Sequence, residues 1–120
     1  MQIRESAEMY LETILVLSQQ GNVRAIDIAN AMKFSRPSVS VTVHKLENEK
    51  YIKITENGNI SLLKKGRDIA ERIYERHTVL STLLESIGVN PKVAAEDACK
   101  IEHDISQESF DCIKKRFAKK

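Results

Sequence analysis

The 120-residue chain has no tryptophan, and only two cysteines, two prolines and four glycines. Two cysteines, Cys99 and Cys112, are too few for a disulfide framework, and their spacing is not that of a paired zinc knuckle, so both read as reduced thiols. Scarce proline and glycine among abundant helix formers predict a mainly α protein with little loop and at most a small sheet. The sequence has no apolar run near the roughly 18 residues that span a bilayer. The start Met1-Gln2-Ile3-Arg4-Glu5 leads into an amphipathic helix rather than a signal peptide, so a cytoplasmic protein with no membrane partner is expected. A Gly-rich phosphate loop, an activated nucleophile and a pocket-forming sheet are also missing, which argues against an enzyme. Charge of either sign is not in excess: 19 Lys and Arg face 17 Asp and Glu, a net of +2.

The distribution of charge says more than its sum. Basic residues gather at Lys33, Arg36, Lys45, Lys50, Lys53, Lys64, Lys65 and Arg67, and again at Lys114, Lys115, Arg116, Lys119 and Lys120. Acidic ones gather at Glu5, Glu8 and Glu12 and at Glu96, Asp97, Glu102 and Asp104. One end thus reads as phosphate-facing and the other as cation-facing. The length suits a DNA-binding lobe over residues 1–63 and a helical lobe over 64–120.

The first lobe is legible element by element. Tyr10, Leu11, Ile14, Leu15 and Leu17 have helical spacing, and Gly21-Asn22 stops that helix. A short helix follows from Ala25 to Met32, with Ile28, Ala29 and Met32 as its inner face. Lys33-Phe34 then makes a turn. Ser35 offers an N-cap oxygen, Pro37 sits where a missing N–H costs nothing, and Val39, Val43 and Leu46 form the buried stripe of a helix from Arg36 to Glu49. Two short helices around a tight turn form a helix-turn-helix pattern. The alternating runs Tyr51–Ile54 and Ile60–Leu62 flank Asn57-Gly58 and predict a hairpin, the wing of a winged helix. On the second helix Ser35, Ser38, Ser40 and Thr42 are short donors for phosphates and base edges, and Arg36 and Lys45 would add phosphate contacts. Pro37, Val41 and the wing's Asn57 complete the candidate DNA surface. An ordinary Ser-capped surface helix would carry the same serines; the hairpin directly behind them favours DNA.

The second lobe carries the chemistry. A long helix runs from Lys64 to about Glu85, with Ile69, Ile73, Leu80, Leu83 and Leu84 as its apolar residues, and breaks at Ile87-Gly88. Another continues from Asn90-Pro91 to His103, and a last one begins with the capping sequence Ser106-Gln107-Glu108-Ser109 and ends near Lys119. Cys99, Glu102 and His103 stand at i, i+3 and i+4, so a thiol, a carboxylate and an imidazole would share one helix face, half of a divalent-metal site. Met9 with Glu12, and Glu8 beside them, offer a second ligand set on the first helix, and His77 is available on the long helix. Thioether, thiolate, imidazole and carboxylate together suit a first-row transition ion. Cys112 reads as a core or interface thiol of the last helix.

Taken together, Glu8-Met9-Tyr10-Leu11-Glu12, Ser35-Arg36-Pro37-Ser38-Val39-Ser40, Arg76-His77 and the run Ala98 to Ser106 resemble the metal-dependent repressors of the diphtheria toxin repressor and manganese transport regulator family. The match runs in order over essentially the whole chain. The resemblance implies a winged helix, a helical dimerisation lobe, and a homodimer that binds a palindromic operator when loaded with Fe(II) or Mn(II), with Co(II), Ni(II) or Zn(II) able to substitute in vitro. By position, Met9, Cys99, Glu102 and His103 match the iron-type primary ligands, whereas Glu12 and His77 match ligands of the manganese-type binuclear site. Ser81 and Ala95 stand where iron-type members carry the Glu and His of an ancillary site, and Val41 replaces a base-reading Gln. The chain stops at Lys120, which leaves no room for the SH3-like domain of larger members. The competing expectation is a winged-helix regulator that senses oxidation through Cys99 and Cys112; the acids around Cys99 disfavour it by raising thiol pKa.

Overall fold

The computed structural model describes residues 5–117. Its elements are α1 (Glu5–Ser18), α2 (Ala25–Met32), α3 (Arg36–Asn48), β1 (Ile52–Ile54), β2 (Ile60–Leu62), α4 (Lys64–Ser86), α5 (Pro91–Ile101) and α6 (Gln107–Phe117). The chain forms two compact units, the first ending at Glu71 and the second starting at Arg72, both within the length of α4. Among the described residues no helix is long and apolar enough to cross a membrane.

The first unit is built on the expected apolar spacing. Leu11 and Ile14 of α1, Ile28 of α2, Val39 and Val43 of α3, and Ile52 of β1 are buried in one cluster. Burying each such side chain contributes about 1.5–3 kcal/mol before entropy is counted. Lys33 ends α2 in the left-handed conformation at φ 60°, and its N–H reaches Ala29 O, which is how the chain turns sharply without a glycine. Ser35 then caps α3, its Oγ accepting from Ser38 N at 3.3 Å.

The hairpin is antiparallel, with Ile52 opposite Leu62 and Ile54 opposite Ile60. Its turn closes by Gly58 N donating to Thr55 O at 2.9 Å, and Gly58 takes φ +85°. Two side bonds tie the wing down: Ile54 N donates to Glu47 Oε2 at 3.1 Å, and Ile60 N donates to Val23 O at 2.7 Å. The wing is therefore joined to α3 and to the segment before α2.

The second unit buries Ile73, Val79 and Leu80 of α4, Ala94 and Ala98 of α5, and Phe110 of α6. Asn90 caps α5 through Lys92 N at 2.8 Å, and Ser106 caps α6 through Ser109 N at 3.0 Å, as the sequence predicts. Two expectations need correction. Cys112 is exposed on α6, which removes the core half of the expected core or interface thiol and leaves the interface half. The helix carrying Cys99 stops at Ile101, not His103: Glu102 is its C-cap, still with helical angles, and His103 lies in the following turn. The expected helix end near Lys119 and the tail Lys119-Lys120 lie outside the described residues. On the exposed side Lys114 Nζ meets Glu75 Oε2 at 2.6 Å, a hydrogen bond that raises the lysine's pKa.

Candidate metal centre and nucleic-acid interface

Ala94, Ala98 and Glu102 follow one another at four-residue spacing, so the apolar stripe of α5 ends in a carboxylate. Glu102 is 0% exposed. A buried anion is costly unless positive charge or hydrogen-bond donors meet it, because the solvation it loses must be replaced. Here two imidazoles face it. His77 Nδ1, from α4, lies 2.9 Å from Glu102 Oε1. His103 Nε2 lies 3.3 Å from Glu102 Oε2, and its ring is 1% exposed.

With Glu102 as a carboxylate, which only accepts, the first of these contacts is a hydrogen bond donated by His77 Nδ1. In the neutral ring Nε2 then carries the lone pair, the arrangement in which a carboxylate orients a metal-ligating histidine. The second contact is different, because Glu102 Oε2, although buried, accepts no hydrogen bond among the described residues. A buried carboxylate oxygen in that condition, with two imidazoles beside it, is a donor set that fits a divalent cation.

Cys99 stands on α5 one helical turn before Glu102, and its thiol is half-buried. The second unit thus brings His77, Glu102 and His103 together. Met9 and Glu12 belong to the first unit, where both are half-buried and one turn apart on α1. Ser81 and Ala95, at the positions of the iron-type ancillary ligands, are half-buried.

The sequence names Arg76 only inside a motif, but its structural role is larger. It is 7% exposed. Its guanidinium donates through Nη1 to Glu102 O at 3.0 Å and Ile105 O at 2.9 Å, and through Nη2 to Gln107 Oε1 at 3.0 Å. These bonds explain the early end of α5: carbonyls of the junction turn to a guanidinium, and Asp104 N donates back to Ile101 O over three residues. One signal could have found Arg76. It lies on the stripe Ile69, Ile73, Leu80, where a charge on an apolar face demands a partner.

The outer face of α3 has the character expected of a nucleic-acid interface. Ser35, Arg36, Pro37, Ser38, Val41 and Lys45 are exposed, Ser40 and Thr42 are half-buried, and Asn57 is exposed at the wing tip. Ser35 Oγ also donates to Ser38 Oγ at 2.9 Å, so the cap engages both hydroxyls. Val41 is 67% exposed, an apolar side chain in the middle of a polar face. His44, given no role by the sequence reading, is exposed on the same face with Nδ1 2.7 Å from Ser40 O. A carbonyl only accepts, so Nδ1 carries the proton and the neutral ring offers Nε2 outward as an acceptor.

Comparison with known proteins covers both units. Residues 2–59 match the family model for the iron dependent repressor N-terminal DNA binding domain. Residues 63–119 match that for the iron dependent repressor metal binding and dimerisation domain. Among solved structures, the manganese regulator SloR is 27% identical with a TM-score of 0.79, over 97% of this chain and 54% of that one. IdeR of T. acidophilum is 25% identical with a TM-score of 0.77, over 99% and 56%. A hypothetical protein from Sulfolobus solfataricus is 24% identical with a TM-score of 0.71, over 98% and 92%, a likeness of fold alone. This chain spans about half the length of the SloR and IdeR chains.

Proposed function

Since the chain belongs to the iron dependent repressor family, we propose that it is a cytoplasmic transcriptional repressor of metal-uptake or homeostasis genes. It binds a palindromic operator as a homodimer when loaded with Fe(II) or Mn(II). The observation that carries this reading is the fully buried Glu102 carboxylate between His77 and His103. His77, Cys99, Glu102 and His103 would hold the ion, with Met9 and Glu12 of α1 as the further ligands that the family resemblance assigns. A bound cation supplies the charge that the buried carboxylate calls for. Thiolate and thioether favour Fe(II), Co(II), Ni(II) or Zn(II), whereas the carboxylates favour Mn(II).

Ligands drawn from α1 as well as from α4 and α5 would make metal occupancy and the placement of the DNA-reading unit one equilibrium. Metal and operator then raise each other's affinity by the same factor, commonly about 5–150-fold. Duplex sites selected from a random library, titrated with anaerobic, reduced protein, test this. Binding should strengthen at least about fivefold with Fe(II) or Mn(II) over a chelated control. Equal affinity in the two conditions sinks the proposal.

The same assay addresses readout by α3. Val41 can form no hydrogen bond with a base but can bury a thymine methyl in the major groove. Replacing the contacted thymine by deoxyuridine removes one methyl, and should cost about 0.8 kcal/mol, roughly a fourfold loss of affinity. Val41→Ala should be insensitive to that change, and Val41→Gln should select a different base. If wild type binds every uridine-substituted site as well as the thymine site, Val41 reads no methyl.

A further inference from the structure

We propose that Arg76 is a positioning residue for the metal centre: it holds the α5–α6 junction from α4 and so fixes where the Glu102 carboxylate and the His103 ring stand. The proposal rests on the metal-binding reading above.

Consecutive residues of α4 grip Glu102 at its two ends. Arg76 Nη1 takes the main-chain oxygen at 3.0 Å, and His77 Nδ1 takes the carboxylate at 2.9 Å. The same Nη1 reaches Ile105 O at 2.9 Å, so the carbonyls on either side of His103 and Asp104 converge on one nitrogen. Nη2 meets Gln107 Oε1 at 3.0 Å, and the guanidinium carbon lies 5.4 Å from the centre of the Phe110 ring. Four attachments on α5, the junction and α6 thus meet one buried cation.

Only a guanidinium does this. Its planar fork presents several N–H donors in fixed directions, whereas a lysine ammonium is a strongly hydrated point donor on a flexible stem. The junction gains such a clamp because α5 ends at Ile101: Ile101 O is still met by Asp104 N and Ile105 N, whereas the Glu102 and Ile105 carbonyls lie past the helix end and are taken by the guanidinium. A positive charge beside a helix C-terminus also meets the negative end of the helix dipole. Without the clamp, the turn holding Glu102 and His103 would sample several backbone states, and each ligand would have to be reordered when a cation binds. Groups that orient metal ligands from behind typically contribute about 10–100-fold to affinity.

The test compares full-length wild type, Arg76→Lys, Arg76→Met and, as a control, Lys114→Ala. The control removes an exposed α4–α6 ion pair, Lys114 with Glu75, that does not touch Glu102. Two readouts are used: anaerobic Co(II) titration followed by visible absorption, and amide hydrogen exchange of the metal-free protein. Arg76→Lys should bind Co(II) about 10–100-fold more weakly, with an altered spectrum. Its Glu102 amide, which donates to Ala98 O at 2.9 Å in wild type, should exchange faster than wild type. Lys114→Ala should match wild type in both readouts. Should Arg76→Met fail to fold, Arg76→Lys and a Gln107→Ala variant, which frees Nη2 alone, carry the comparison, the latter with a smaller loss in the same direction. Wild-type Co(II) affinity and exchange in Arg76→Lys overturn the positioning role. Wild-type protein that takes up no Co(II), Mn(II) or Fe(II) overturns the metal reading itself.

Discussion

Glu102→Gln should leave the metal-free protein about as stable as wild type, within about 1 kcal/mol, while removing the rise in Tm that metal produces. The carboxylate is fully buried, with Oε1 on His77 Nδ1 and Oε2 facing His103 Nε2. An amide of the same shape keeps the first bond through its oxygen and can donate from its nitrogen towards His103, so both contacts survive without a buried charge. Exchanging a buried ion for a neutral group of equal volume is often neutral or stabilising. The cation, however, loses its anionic ligand. Metal at 100 times the wild-type Kd stabilises the protein by about 2.7 kcal/mol. For a chain of this size that is a rise of roughly 10 °C. An affinity lowered 100-fold leaves about 0.4 kcal/mol, a shift of roughly 2 °C. Thermal melts of both proteins with and without Mn(II) or Co(II) measure all four quantities. A full metal-dependent rise in Glu102→Gln would place the cation elsewhere.

The elements of the first unit were legible because their side chains obey simple periods. Val39, Val43 and Leu46 give α3, Ser35 its start, and the apolar runs Ile52–Ile54 and Ile60–Leu62 around Gly58 the wing; all of these fall where the spacing puts them. Glu102 and His103 were legible as ligand types, but not as neighbours of the end of α5. That end is determined by Arg76, 26 residues earlier in the chain, and no local pattern encodes a contact at that separation. What the sequence did hold were two breaks in pattern. Arg76 interrupts the stripe of Ile73 and Leu80, and Glu102 ends the stripe of Ala94 and Ala98. A charge on an apolar stripe marks either an error in the stripe or a buried partner; here Arg76 finds the main-chain oxygen of Glu102, and the Glu102 carboxylate finds His77 and His103. The core alternative for Cys112 fails for the converse reason, while the interface alternative is compatible with its exposure. A thiol is commonly buried, but α6 turns this one outward, and the helix's buried position is filled by Phe110.

Gly66 carries the other large expected effect, and nothing in its neighbourhood of Lys64, Lys65 and Arg67 announces it. It lies in the first turn of α4, where glycine ordinarily weakens a helix, and alanine would be the better helix former. Yet a Cβ at Gly66 would stand 2.2 Å from Tyr51 O, 3.0 Å from Tyr51 C and 3.3 Å from Leu11 Cδ2. Two of those atoms are backbone and cannot swing aside. Tyr51 O accepts from Leu63 N at 3.0 Å, so moving it disturbs the chain leading into β1 and the link from β2 to α4. Tyr51 also carries Lys65 Nζ 4.2 Å above its ring. Gly66→Ala should therefore destabilise the first unit by about 3 kcal/mol or more, against a helix-propensity gain of about 1 kcal/mol in the opposite direction. Gly88→Ala is the comparison. Its φ of +102° strains any side chain, but nothing lies within 4 Å of a Cβ there. Its cost should be set by backbone conformation alone, about 1–3 kcal/mol. Urea unfolding of the two variants, with DNA affinity measured in the metal-loaded state, separates the effects: Gly66→Ala should lose both stability and DNA binding through the displaced wing, whereas Gly88→Ala should lose stability only. A Gly66→Ala protein as stable as wild type would mean that α4 and Tyr51 do not approach each other as the structure has them.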